Sequence, residues 1–206
     1  NERGPTATTM TPRLTRRDAI RAGTAAAGIA LAGCLDGLAA DDGADGPTEP
    51  ENAGELGVPA SQFTVTTTSR PFPEFQPQVA HVSVGATVEW VVETGRHSVS
   101  AYHRDSHPPH RTADGVGPWG SDLLTGPGST YEYTFESEGI YDYVDTQQVC
   151  VSHEIAGNVG RIVVGWPDPD EEPAMADPQE AMPDRVANAI AQFNERTRPV
   201  LQDGPE

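Results

Sequence analysis

The chain has 206 residues, of which 36% are hydrophobic, and it contains 21 glycines and 19 prolines. This length fits a single domain of ordinary size with extensions, and the glycine and proline content favours a loop-rich fold with poorly ordered flanks. The formal net charge is -18 and all 13 basic residues are arginine, which argues against a nucleic-acid partner and suits solubility in concentrated salt.

Residues 1–33 have the features of an export signal. Arg16 and Arg17 precede a small, apolar stretch at 22–32, which is too short to span a bilayer as a stable helix. The run ending at Cys34 resembles the lipobox of exported lipoproteins, in which the cysteine carries lipid. We therefore predict a twin-arginine signal and lipidation of Cys34. The alternative is a buried N-terminal helix with an incidental thiol.

Residues 34–62 are rich in Asp, Glu, Gly, Pro and Ala, contain no basic residue and show no apolar periodicity. Such a composition is typical of a disordered segment, and its negative charges repel one another and extend it. We predict an acidic tether that holds a folded domain away from the membrane.

Residues 63–166 contain seven short segments in which apolar and polar side chains alternate, as in half-buried strands. They are 63–68, 79–84, 87–92, 97–102, 131–135, 140–144 and 161–164. Glycine-containing turn signals separate them. The pattern predicts an all-β domain, a Greek-key β-sandwich. The loop at 103–128 interrupts the series and is expected to lie on the surface.

Residues 167–206 form an acidic tail in which one amphipathic segment stands out. Val186, Ile190, Phe193 and Thr197 recur at helical spacing, which predicts a short helix over 184–197. Because a short isolated helix is marginal in water, we expect this helix to pack on the sandwich rather than to bind a partner.

A copper site is indicated by Cys150 and His153, three residues apart on a tight loop, together with His97 at the start of a distant strand. In a sandwich these positions can meet at one pole. Thiolate suits Cu(I) and imidazole suits both copper oxidation states, so one Cys with two His is a preferred copper set. Only two cysteines occur, Cys34 and Cys150, and their different contexts argue against a disulfide framework.

These motifs resemble the plastocyanin and halocyanin branch of the cupredoxin family. The resemblance is carried by His97-Ser-Val, the Gly-Ile-Tyr-Asp-Tyr run at 139–143, and the segment from Cys150 through His153 to residue 164. It implies a β-sandwich with a type 1 copper ion held by His97, Cys150 and His153, serving as an electron carrier rather than an enzyme. The acidic, lysine-free composition resembles that of proteins from halophilic archaea.

The sequence departs from the family pattern at two places. The position five after the second histidine, usually the axial methionine, is Asn158; an amide oxygen is an accepted axial donor, and we expect it to favour Cu(II) and lower the reduction potential. The family cysteine commonly follows directly on the Tyr-x-Tyr-x stretch, whereas residues 145–149 intervene here. This insertion is expected to bulge the strand or to bring Asp145 to the metal, giving a site less like type 1.

Other interpretations stay open at this point. Cys150 could be a small buried hydrophobe and the histidines polar surface residues. Alternatively, the sandwich could keep the motif but have lost copper. His103, His107 and His110 could bind a second metal, although a His-rich loop among prolines is more often solvated, and His81 is expected to be structural.

Together these features predict an exported, monomeric lipoprotein. It would be anchored through Cys34 to the outer face of the cell membrane and exchange electrons with membrane redox proteins. The runner-up function is a copper-handling protein or a copper enzyme with a modified, non-blue site.

Overall fold

The computed structural model describes residues 49–148 and 152–205, all within the unit 45–206. The predicted signal with Arg16 and Arg17, the lipidation site Cys34 and the predicted ligand Cys150 lie outside the described residues. Within the described ranges, no helix combines the length and apolarity needed to cross a bilayer.

The described residues form nine strands, two α-helices and one 3-10 turn. In chain order these are β1 (Ala60–Thr68), β2 (Glu74–Gln76), β3 (Val79–Val92), β4 (Arg96–His97), β5 (Ser100–Ala101), β6 (Leu124–Thr125), β7 (Thr130–Phe135), β8 (Gly139–Val144), α1 (His153–Ala156), β9 (Val159–Val164), the 3-10 turn (Pro173–Met175) and α2 (Asp184–Asp203).

The main sheet has the strand order β2-β1-β3-β9-β8-β5, with β7 also paired to β3, and β4 pairs separately with β6. Strand β3 belongs to both halves of the sandwich, because residues 79–82 pair with β9 and residues 86–91 pair with β7. Gly85, with a φ of 84°, lies between the two paired regions. The prediction of an all-β sandwich is confirmed, but the two strands predicted at 79–84 and 87–92 are one.

An aromatic core joins the two halves. Trp90 of β3 meets Tyr143 of β8 edge-on with ring centroids 5.2 Å apart, and Trp119 stacks on Tyr133 at 4.8 Å. Trp119 lies in the long loop, as does Arg111, and both are buried. The expected surface position of this loop is therefore wrong at these residues, because a large aromatic ring gains more by burial in the core than by exposure.

The chain on both sides of the predicted domain takes part in the fold. Strand β1 begins at Ala60, and Leu56 packs against two of the apolar clusters, so the folded unit starts before residue 63. Helix α2 ends at Asp203 rather than at 197, because its buried stripe continues to Leu201. Its packing on the sandwich is confirmed: its apolar face shares a cluster with Tyr102 of the sandwich side.

A buried ion network fastens the tail to the sandwich. Arg161 donates from Nε to Asp142 Oδ1 at 2.7 Å, and Arg111 donates from Nε to Asp142 Oδ2 at 2.8 Å. All three side chains are fully buried. Both guanidinium groups also donate to the carbonyl oxygen of Ala174 in the 3-10 turn. Among the described residues, Asp142 is thus the only salt-bridge partner of these two arginines.

His81 is structural, as predicted. The ring is fully buried, with Nδ1 accepting from the Gly57 N–H at 3.0 Å and Nε2 lying 2.6 Å from the Gly165 carbonyl. Nε2–H must donate to the carbonyl, so the neutral ring satisfies both contacts, and a proton added at Nδ1 would oppose the Gly57 donor. Burial lowers the pKa of His81, and the bond to Gly165 only partly offsets this effect.

Folding stability is expected to fall on acidification because of His81. A histidine whose pKa is lower in the folded than in the unfolded chain contributes stability that is present above the unfolded value of 6.5 and is lost as the pH falls below it. The slope reaches ~1.4 kcal/mol per pH unit for one group. Urea unfolding at about pH 7.5 and about pH 5.5 should show a smaller pH difference in His81→Gln than in the native chain. An unchanged difference would contradict this role.

Candidate metal centre

The β8–β9 hairpin places two polar side chains next to each other at one pole of the sandwich. Val144, the last residue of β8, pairs with Val159, the first residue of β9, and next to this pair the Asp145 N–H donates to the Asn158 carbonyl at 3.1 Å. Strand β5 pairs with β8 through Ser100 and Val144. This pairing brings β4, which precedes β5 and contains His97, to the same pole. The elements that meet here therefore come from three separate parts of the chain.

Two histidines converge on one carboxylate oxygen at this pole. His97 Nδ1 and His153 Nδ1 each lie 2.6 Å from Asp145 Oδ2, and the three atoms form a group within 4.8 Å of one another. His97 and Asp145 are fully buried, whereas the side chain of His153 is 10% exposed. The structure thus brings together the two histidines named from the sequence and adds Asp145 between them.

The hydrogen bonds of His97 leave its Nδ1 atom available as a donor to a metal. Its Nε2 atom lies 2.9 Å from the Thr94 carbonyl and 3.1 Å from Ser69 Oγ. A carbonyl can only accept, so Nε2 carries the proton and the neutral ring has its lone pair on Nδ1. Because Nδ1 lies 2.6 Å from Asp145 Oδ2, a favourable contact with this carboxylate requires either a proton or a metal ion on Nδ1. A second ring N–H bonded to a backbone carbonyl is typical of metal-bound histidine.

The other oxygen of Asp145 is fully engaged by the protein. Oδ1 accepts from the Ser98 N–H at 2.9 Å, from Ser98 Oγ at 3.2 Å and from the Gln147 N–H at 3.0 Å. Burial by itself would raise the pKa of Asp145, but hydrogen bonds from His153, His97 and the two backbone N–H groups outweigh burial and lower it. The carboxylate is therefore held ionised and in a fixed orientation.

Asn158 completes the polar group at this pole. Its Nδ2 donates to Asp145 Oδ2 at 3.0 Å, while its Oδ1 is buried and has no hydrogen-bond partner. A buried carbonyl oxygen without a donor is costly and calls for an explanation such as an ion. The predicted axial donor is thus present at the site, with the amide nitrogen turned toward the carboxylate.

Sequence reasoning named Asp145 only as a residue that the insertion could bring to the metal. A clear signal was available, since Asp145 directly follows the Tyr141-Asp-Tyr143-Val144 stretch, where the family cysteine is expected. The supporting residues Ser69 and Thr94 were missed, and nothing local marks them. Ser69 meets a ring 28 residues away.

The three histidines of the long loop do not form a second metal group with each other. His107 Nε2 bonds to Glu154 Oε1 at 3.0 Å, and His103 Nδ1 accepts from the Asp105 N–H at 3.1 Å. The His103 and His110 rings meet edge-on at 5.0 Å. The expectation that this cluster is solvated is wrong for His103, which is buried because the loop folds back on itself.

Residues 62–165 match the family described as copper binding proteins, plastocyanin/azurin family. This match spans half of the chain and includes His97, Asp145, His153 and Asn158. The chain belongs to this family. Cupredoxins bind copper, and they are typically electron carriers rather than enzymes.

One plastocyanin and two solved pseudoazurin structures are similar to part of this chain. Plastocyanin B'/B'' of Nicotiana tabacum is 30% identical over 90 residues, which cover 44% of this chain and 86% of the plastocyanin. The pseudoazurin of Methylobacterium extorquens AM1 is 19% identical with a TM-score of 0.46, covering 64% of this chain and 98% of the pseudoazurin. The pseudoazurin of Hyphomicrobium denitrificans is 21% identical with a TM-score of 0.46, covering 64% and 97%.

The side chains at this pole fit copper, because two imidazole nitrogens and a carboxylate oxygen converge there and the buried Asn158 Oδ1 has no hydrogen-bond partner. Imidazole nitrogens and oxygen donors bind Cu(II) more tightly than other first-row divalent ions. Copper supplies one-electron chemistry when it is bound. The residues themselves hold the donors in place, keep Nε2 of His97 protonated, and exclude water from all but His153.

Proposed function

We propose that this cupredoxin domain carries single electrons on a copper ion held by His97 and His153. The observation that carries the proposal is the convergence of the two Nδ1 atoms, each 2.6 Å from the same carboxylate oxygen. Burial of His97 excludes water from the centre, while the partial exposure of His153 provides the short path to the surface that a redox partner needs.

We propose that the protein acts outside the cell membrane of a halophilic archaeon. Support comes from Arg16 and Arg17 in front of the short apolar stretch, from Cys34 at the end of a lipobox-like run, and from the net charge of -18. On this proposal the domain is monomeric and anchored by lipid on Cys34. The extended acidic segment after Cys34 lets the domain contact membrane redox proteins.

Copper binding is expected to depend on both histidines. The purified native chain should hold one copper per chain, while His97→Ala and His153→Ala should each weaken Cu(II) binding at least about tenfold, since each removes one of a few ligands. Elemental analysis and a competitive Cu(II) titration measure this. His110→Ala is the matched control, because its ring lies outside the centre and makes no hydrogen bond. No copper in the native chain, or equal loss in the control, contradicts the proposal.

A second function, copper handling or catalysis at a non-blue site, is favoured by one observation. Asp145 occupies the space between the two imidazoles, and a carboxylate is a harder donor than thiolate. The two functions differ in reversibility. An electron carrier keeps its copper through repeated reduction and oxidation in the presence of a Cu(I) chelator, whereas a copper-handling protein loses it upon reduction.

A further inference from the structure

We propose that Asp145, and not Cys150, supplies the third ligand, so that the copper lies in a thiolate-free centre of two imidazoles and a carboxylate. This inference rests on the proposed function, since it names the donor set of the same site. It differs from the expectation of a type 1 centre, in which His97, Cys150 and His153 bind the ion.

The position of the carboxylate leads to this assignment. Asp145 Oδ2 is 2.6 Å from both Nδ1 atoms, so an ion bound to the two imidazoles also contacts this oxygen. Displacing the carboxylate would break its bonds from Ser98 and Gln147 and leave a buried charge without partners, which is strongly unfavourable. Retaining it beside a thiolate would instead place two negative ligands in one buried site.

The two oxygens of the Asp145 carboxylate have different contacts, and this difference supports the same assignment. Oδ1 takes three hydrogen bonds from Ser98 and Gln147, whereas Oδ2 faces the two imidazoles and the Asn158 amide. One oxygen is thus held by the protein and the other is presented to the site, as expected for a carboxylate ligand oriented by its surroundings. The backbone bond from His153 N–H to the Gln147 carbonyl, 3.0 Å long, fixes His153 relative to this carboxylate.

Two properties follow from oxygen in place of sulfur. The intense visible absorption of Cu(II) cupredoxins of type 1 comes from charge transfer from thiolate to copper, and a centre without thiolate lacks it. Carboxylate and imidazole also favour Cu(II) over Cu(I), because the soft reduced ion loses its preferred ligand. The domain should therefore be pale when oxidised, and its reduction potential should be lower than that of a thiolate-ligated centre.

The test is Cu(II) loading of the full chain, followed by visible absorption, electron paramagnetic resonance and competitive affinity measurement. Cys150→Ser should change neither spectrum and should alter affinity by less than about twofold. Asp145→Asn, which keeps the shape but not the charge, should weaken Cu(II) binding at least about tenfold. Asp145→Cys should introduce an intense visible band and a small copper hyperfine splitting.

The possible outcomes distinguish failure of this ligand assignment from failure of the proposed electron-transfer function. An intense band in the native chain that disappears in Cys150→Ser overturns the inference and leaves copper electron transfer standing. Absence of stoichiometric copper from the native chain overturns the proposed function instead. If Asp145→Asn fails to fold, as judged by near-ultraviolet circular dichroism, the Cys150→Ser spectra still decide between the two ligands.

Discussion

Replacing Asp142 with asparagine is expected to remove about 3–5 kcal/mol of folding stability, the usual cost of taking one partner from a buried ion pair. Arg111 and Arg161 are both fully buried and both donate to this carboxylate. The amide keeps the shape of the side chain but leaves two buried guanidinium groups without their salt-bridge partner. Because the free energy of unfolding of a small domain is only about 5–15 kcal/mol, this loss would remove at least about a fifth of it.

Asp170→Asn is the matched control for this prediction. Asp170 also pairs with an arginine, Arg198, but its side chain is 74% exposed, so solvent screens the pair and its loss should cost no more than about 1 kcal/mol. Urea unfolding of the two variants measures the difference. A loss in Asp142→Asn as small as in Asp170→Asn would show that the buried arginines are neutralised in another way.

The second large effect is expected from Phe193→Ala in α2, which should cost about 3–5 kcal/mol, as for other large core truncations. Phe193 is 2% exposed and packs in a cluster with Tyr102 and Val144 of the sandwich. Its ring also lies 5.6 Å from the Arg161 guanidinium carbon. Truncation would therefore open a cavity and admit water to the buried ion network.

Gln192→Ala, one residue earlier on the exposed side of α2, provides the control and should shift stability by less than about 0.5 kcal/mol. Thermal and urea unfolding measure both variants. The double variant with Asp142→Asn should lose less than the sum of the single losses, because the two side chains share Arg161 as a partner. An additive result would mean that helix docking and the ion network are independent.

The spacing of apolar residues predicted secondary structure correctly where a strand or helix keeps one face buried along its length. The apolar spacing of Val186, Ile190 and Phe193 predicted α2 and its packing, although not its extension to Asp203. The same reasoning failed at Trp119. A loop has no periodicity, so nothing local shows that its aromatic ring enters the core.

Some residues of the candidate site were likewise predicted from the sequence and others were not. His97 and His153 were predicted to meet, from a short spacing motif and strand order, and they do lie at one pole. Cys150 stays a prediction, since it lies outside the described residues. Asp145 was named only as a consequence of the inserted residues. Its place directly after Val144 marked it as a candidate ligand, but nothing in the local sequence showed that its carboxylate is buried.

The sequence by itself determined the all-β class and the helix of the tail, and it singled out the two histidines that lie at one pole, because hydrophobic period and residue type are local properties. Only the tertiary structure decided that one oxygen of Asp145 faces both imidazoles and that Asp142 pairs with two arginines. Asp145 meets His97 across 48 residues, and Arg111 meets Asp142 across 31. Such contacts depend on which strands pair and in which register, and this outcome is set by packing of the whole core.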